Sequence, residues 1–245
     1  MRGSVLAAAS AQARKSFIAL AMLAVCPAAL AEPHIALDSP LWRLESDDDG
    51  VRLYSSRVEG TDIVPFKAVM SIPASIEEVA AVLEDMPRRS EWVARFGGSV
   101  LLERWGDYDR TEYVRMRMPW PLSDRTARVR VLVSVSRHRN VVSIVGRSVR
   151  ARGRPDLPEF VLAEVYESTF QMARRAGSTE VTALAFVDPR GNLPKWVVNL
   201  FTGREARRTL VGLRRQVDRN LYGPAVLGEI RARIHRFEEG AAQPH

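Results

Sequence analysis

The sequence predicts an α+β fold, a curved antiparallel sheet of about nine strands with one long C-terminal helix laid across it. Three observations predict it. Apolar and polar residues alternate in consecutive segments between 111 and 187. Short turn-forming clusters separate those segments, as in "SRHRN" (136–140) and "RRAGS" (174–178). Behind them, from 193 to 221, apolar residues recur at steps of three and four.

In chain order, residues 1–31 come first. They carry Arg2, Arg14 and Lys15 and no acid, then the apolar run "SFIALAMLAV", Pro27 and the small-residue triplet Ala29-Leu30-Ala31. That order of charge, apolar run and cleavage site reads as a secretory signal peptide cut after Ala31. The run is shorter than the roughly 20 residues that span a bilayer. Val25 stands before Cys26 where a lipoprotein signal wants a small residue. Cleavage removes the sole cysteine, which leaves no disulfide, no cysteine-ligated metal and no thiol nucleophile. The expected destination is the periplasm or the exterior.

The formal net charge is +7, and of the 36 basic residues only Lys15, Lys67 and Lys195 are lysine. For an exported chain this argues against a nucleic-acid partner, while a transient attraction to anionic membrane surfaces fits. With no repeat and no linker, residues 32–223 read as one domain. A short helix and a tail follow at 224–245, and a monomer is expected.

Strands are expected at 51–57, 64–72 and around 99–105. "SIEEVAAVLEDM" begins a helix at Ser75, with Glu78 completing a capping box and Ile76, Val79, Val82, Leu83 and Met86 on one face. In "TEYVRMRMPW" the side chains of Val114, Met116 and Met118 share one face, opposite Tyr113, Arg115 and Arg117. In "ARVRVLVSVS" Val129, Val131, Val133 and Val135 line up, and "EFVLAEVYESTFQMA" and "TEVTALAFV" repeat the habit. The turn-rich "DPRGNLP" then leads into the long helix. Asn192 is placed to cap it, Pro194 fits its first turn, and Gly223-Pro224 ends it.

Enzyme signatures are missing. His34, His138, His235 and His245 form no HExxH or His–carboxylate spacing, no Gly-x-Ser-x-Gly elbow occurs, and no glycine-rich phosphate loop is found. No cofactor is called for. A cofactor-free cyclase, isomerase or hydrolase would need a phenolic or charged group facing a cavity, such as Tyr113, Tyr166, Asp188 or Arg125.

Four segments in order carry a resemblance: "DDDGVRLYSSRVEG", "PFKAVMSIPASIEEVAAVLEDMPRRSEW", "YVRMRMPWPLSDRTARV" and "DPRGNLPKWVVNLF". Together the chain resembles a START (steroidogenic acute regulatory-related lipid transfer) domain, in a bacterial exported form. It departs from that pattern at Arg125-Thr126, where the family places an Arg-Asp pair.

The resemblance implies a helix-grip fold whose sheet wraps the C-terminal helix around a cavity for one hydrophobic ligand, be it sterol, hopanoid, phospholipid or fatty acid. Met116, Met118, Val131 and Val133 would line it, or pack as sheet core. Trp120, before Pro121, would end a strand and shape the entrance, or serve packing alone. Arg125 would meet a polar head group or sit solvated on its strand, and Asp188 would cap a strand end and partner Arg125 or Arg190. The loop 188–194 and the helix start would gate the cavity. Trp196, Val197, Leu200 and Phe201 would sit at the mouth, or in a plain core, and an aromatic there would also touch a membrane.

Overall fold

The computed structural model describes residues 33–136, 140–149 and 160–240, with only the backbone described at 195–197, 199–202 and 238–240. The expected leader, 1–31, lies outside the described residues, and Glu32–His245 forms one compact unit. Ten strands are β1 (Arg43–Asp48), β2 (Val51–Ser55), β3 (Phe66–Ile72), β4 (Phe96–Arg104), β5 (Asp109–Met116), β6 (Arg125–Ser136), β7 (Val141–Ser148), β8 (Val161–Leu162), β9 (Glu164–Arg175) and β10 (Ser178–Asp188). They form one sheet in the order β1-β2-β3-β10-β9-β7-β6-β5-β4, antiparallel throughout except that the short β8 runs parallel to β6. The pairing of β3 with β10 brings the first strands beside the last. Helix α1 (Ile76–Glu84) and a 3-10 turn (Met86–Glu91) separate β3 from β4, while α2 (Lys195–Val217) and α3 (Pro224–Gly240) follow β10. The architecture is the expected helix-grip α+β fold.

Local chemistry accounts for most boundaries. Ser75 and Glu78 form the reciprocal capping box that starts α1. The positive φ of Gly177 supplies the β9–β10 turn. β1 was not expected because its side chains are almost all exposed, so it carries no alternation to read. Two helix boundaries differ from expectation. The N-cap position of α2 is Pro194 and makes no side-chain capping bond, so Asn192 does not cap the helix. Its far end comes at Val217, where Asn220 takes a left-handed backbone at φ 49° and stops the helix before Gly223.

The sheet's concave side is filled unevenly. Toward β2, β3 and β10, α1 and α2 pack tightly: Val51, Ala68, Ile72, Val79, Met172, Val181, Leu210 and Leu213 form a continuous buried cluster. Each such aliphatic side chain contributes about 1.5–3 kcal/mol through burial. Glycine lets α2 come this close. A β-carbon at Gly203 would strike the Phe66 ring, and one at Gly212 would strike the carbonyl oxygen of Trp92. Helix α3 is longer than the short helix expected, and it belongs to the same body. Its Ile230 is buried against the cluster, and the Tyr108 and Phe237 rings meet edge to face at 4.7 Å. Toward β5, β6, β7 and β9 a smaller cluster, Ala127, Val129, Val131 and Val165, faces open space instead.

Candidate functional site

That open space is a cavity of about 220 Å³. Alternation along the strands supplies its walls: Val114 and Met116 from β5, Ala127, Val129 and Val131 from β6, Ile144 and Gly146 from β7. A register shift between Phe186 and Val187 changes the parity of the β9–β10 pair. Val165 and Ser168, three positions apart on β9, therefore both reach the lining. Gly146 keeps the space clear, since a side chain there would run into Val129. The other wall is Leu83 of α1 and the segment Trp92–Ala94. The Trp92 ring stands edge-on to Phe170, centroids 5.9 Å apart.

One end of this apolar space is charged. Glu112 sits in β5 on the same face as Val114 and Met116, with its side chain 1% exposed. Arg89, presented by the 3-10 turn, donates to Glu112 Oε2 at 2.6 Å, and Arg110 donates from Nε to Oε1, also at 2.6 Å. Burial pushes the Glu112 carboxyl up, but hydrogen bonds and charge from Arg89 and then Arg110 outweigh it, and its pKa lies below the ordinary value. Among the described lining residues these three are the ionisable groups. Two cations share one anion, so the pole keeps unspent positive charge and guanidinium donors in a region of low dielectric.

Of the residues expected to bind ligand, Met116 and Val131 line this cavity. Val133 lies on the predicted face but farther along β6, half-buried against the main core. Met118 falls past the end of β5, half-buried, and its N–H donates to Asp124 Oδ1 at 2.9 Å. Trp120 is 93% exposed in the turn before β6, with a cis bond to Pro121. Trp196, Val197, Leu200 and Phe201 lie outside the described side chains.

Arg125 needs a correction on both of its expected roles. It neither meets the cavity nor sits in solvent, being 3% exposed. Its guanidinium clamps the loop after β10, donating to the carbonyls of Pro189 (3.1 Å), Arg190 (3.3 Å) and Ser123. Burial pulls its pKa below the ordinary value, against the opposing pull of Asp124. Gly191, at φ 78°, passes close under this guanidinium. Asp188 forms neither expected ion pair. It accepts the backbone N–H of Arg190 at 2.8 Å, while the Arg190 guanidinium pairs with Glu164 at 2.7 Å. The loop's conformation is thus set by one buried cation and one turn.

The family model of the START domain matches residues 25–220. The chain belongs to the START domain family. Its relatives include an uncharacterized protein of Pseudomonas aeruginosa, 29% identical over 209 residues, which are 82% of this chain and 95% of that one. Among solved structures it is similar to the human StAR-related lipid transfer protein 5, with a TM-score of 0.70 at 18% identity over 76% of this chain and 90% of that one. It is also similar to a STAR-related lipid transfer protein from Xanthomonas axonopodis, with a TM-score of 0.65 at 22% identity over 73% and 99%. START domains generally bind and transfer lipids. The cavity described above lies inside this START domain between β5–β7 and β9 on one side and α1 with the Trp92–Ala94 segment on the other.

The pole of Arg89, Arg110 and Glu112 was not among the expected site residues. A signal for it existed. Extending the Val114–Met116 face back by one alternation step reaches Glu112, and a carboxylate on an apolar strand face demands a buried cation.

Proposed function

We propose that this START domain is an exported carrier that holds one hydrophobic molecule, such as a sterol, hopanoid, phospholipid or fatty acid, and moves it between membranes without catalysis. The observation that carries this reading is an apolar cavity with a single charged end. Apolar walls favour a hydrocarbon by about 0.8 kcal/mol per buried CH₂, and the Arg89–Glu112–Arg110 pole orients a polar group carried into the cavity, such as an ester oxygen. The groups that a cyclase or isomerase would employ do not support that alternative: Tyr113, Tyr166, Asp188 and Arg125 are not among the described lining residues.

The gate is the loop 188–194 with the first turns of α2. Helix α2 starts without a side-chain cap, so its first turn holds fewer contacts than a capped one. Val198 is held among Ile63 and Phe186, and Gly203 rests on Phe66 one turn later. Opening moves the loop 188–194 and withdraws Val198 from Ile63 and Phe186, while the C-terminal half of α2 stays in the core. Exposed Trp120, five residues before Arg125, supplies an amphipathic ring for transient contact with a membrane surface. The leader-like composition of residues 1–31 supports export to the periplasm.

Extracting the purified full chain with organic solvent and identifying co-purifying molecules by mass spectrometry tests the reading. One hydrophobic molecule per chain is expected. An extract without any, together with failure to take up lipid from vesicles, overturns it.

A further inference from the structure

Behind the cavity wall runs an open groove of about 1700 Å³ between α2, the β1–β2 hairpin and residues 91–95. Its floor is apolar, with Leu53, Val64, Phe66, Val93 and Val211. Its rim is basic. Among the described lining residues seven arginines face four carboxylates. Arg207 pairs with Asp49 at 2.6 Å, and Arg95 and Arg208 share Glu205 at 3.0 and 3.3 Å. Arg43, Arg57, Arg204 and Arg215 are exposed and make no ion pair with a described residue. Unneutralised guanidiniums around a concave, low-dielectric surface concentrate positive potential. Their forked donors match phosphate and carboxylate oxygens.

Groove and cavity are separated by a single layer of chain, because Trp92, Val93 and Ala94 line both. That layer is anchored by Trp92, buried in the main core, and by Glu91, which accepts from Gln216 Nε2 at 3.1 Å; three further contacts tie it to α2. The Ala94 N–H donates to Thr209 Oγ1 at 3.2 Å, Arg95 reaches Glu205, and the Trp92 carbonyl rests on Gly212. Sizes matter here. A pocket enclosing a drug-sized ligand measures about 300–1,000 Å³, and the cavity, at about 220 Å³, falls short of that range. A whole lipid must extend beyond it, and the groove is the adjoining space.

We propose that the ligand is an anionic amphiphile whose tail fills the cavity and whose phosphate or carboxylate head lies among the groove arginines, the two joined through the Trp92–Ala94 wall. This rests on the carrier reading and adds the charge of the ligand and the place of its head. Arg95 directly follows the shared wall, on its groove side. An anion at Arg95 competes with Glu205, and losing that ion pair releases one of the ties that hold the wall against α2.

The test uses the full chain and three probes: didecanoyl phosphatidic acid, didecanoylglycerol and glycerol 3-phosphate. Binding is measured by calorimetry for wild type and for the double variant Arg204→Glu, Arg215→Glu, with far-UV circular dichroism confirming that both are folded. Phosphatidic acid is expected to bind the variant about tenfold or more weakly, and to lose affinity with salt more steeply in wild type than in the variant. Didecanoylglycerol is expected to bind both alike, and glycerol 3-phosphate to bind wild type about 100-fold more weakly than phosphatidic acid. Equal affinity of wild type and variant for phosphatidic acid overturns the head-group site. Glycerol 3-phosphate binding as tightly as phosphatidic acid also overturns it, since the groove then serves a free anion. If wild type takes up neither lipid, the carrier reading falls and takes this assignment with it.

Discussion

Replacing Glu112 with glutamine removes one charge from the pole of the cavity and changes little else. The side chain keeps its shape and one acceptor oxygen, but Arg89 and Arg110, with side chains 15% and 11% exposed, lose their shared anion. Deleting one partner of a buried pair destabilises by about 3–5 kcal/mol. The residual exposure of both arginines places this case near the low end, about 3 kcal/mol. In a domain of this size that lowers Tm by about 6–12 °C. The pH dependence follows from the Glu112 carboxyl, whose pKa is lower in the folded protein than its ordinary value. Such a group stabilises the fold above its unfolded value, about 4.3, and that contribution disappears as pH falls through the folded value. The gap in Tm between wild type and Glu112→Gln is therefore widest near pH 7 and narrows progressively as pH falls below about 4.3. Thermal unfolding followed by circular dichroism from pH 7 to pH 3 measures it. A gap below about 2 °C at pH 7, or one that stays constant with pH, refutes the ion-pair account.

Three further outcomes are expected. Val131→Trp fills the cavity and abolishes co-purifying lipid at a stability loss of about 1–3 kcal/mol from overpacking, while the same change at Val133, beyond the cavity, leaves uptake intact; mass spectrometry of extracts compares them. Arg125→Met leaves the carbonyls of Ser123, Pro189 and Arg190 without their donor, so release of a fluorescent fatty acid should accelerate about tenfold in stopped-flow traces, with equilibrium affinity changing less. Unchanged release would separate the clamp from the gate. Trp120→Ala removes the most exposed aromatic ring among the described residues. It should slow transfer to anionic vesicles several-fold at unchanged ligand affinity, as read by a vesicle-to-vesicle transfer assay.

The fold was legible because its signals are local and repeated. The Ser75–Glu78 pair starts α1 where expected, and the alternation of β5 and β6 puts Val114, Met116, Val129 and Val131 on the inner face. Depth along a strand is another matter. Val133 has the correct parity, yet periodicity does not say where α1 and α3 stop filling the space and the cavity begins. Arg125 illustrates a second limit. A lone arginine at a strand start looks the same in sequence whether it meets solvent, ligand or backbone, and only the approach of residues 189–191 from the far end of β10 decides. The arginines of the groove come from β1, the β2–β3 connection, the 91–95 segment and α2. Their convergence depends on the β3–β10 pairing, which no short stretch of sequence encodes.

Helix α3 has a practical meaning for anyone trimming this protein. The family match stops at 220, four residues before α3 begins, so the natural place to cut is in front of it. Such a truncation would remove Tyr222 from Asp85, with which its hydroxyl bonds at 2.8 Å, and would take the acceptor carbonyl of Arg233 and the ring of Phe237 away from Tyr108. It would also uncover the part of the main core that Ile230 packs against. The evolutionary boundary and the folding boundary differ here, and a shortened version is expected to aggregate where the full-length chain stays dispersed.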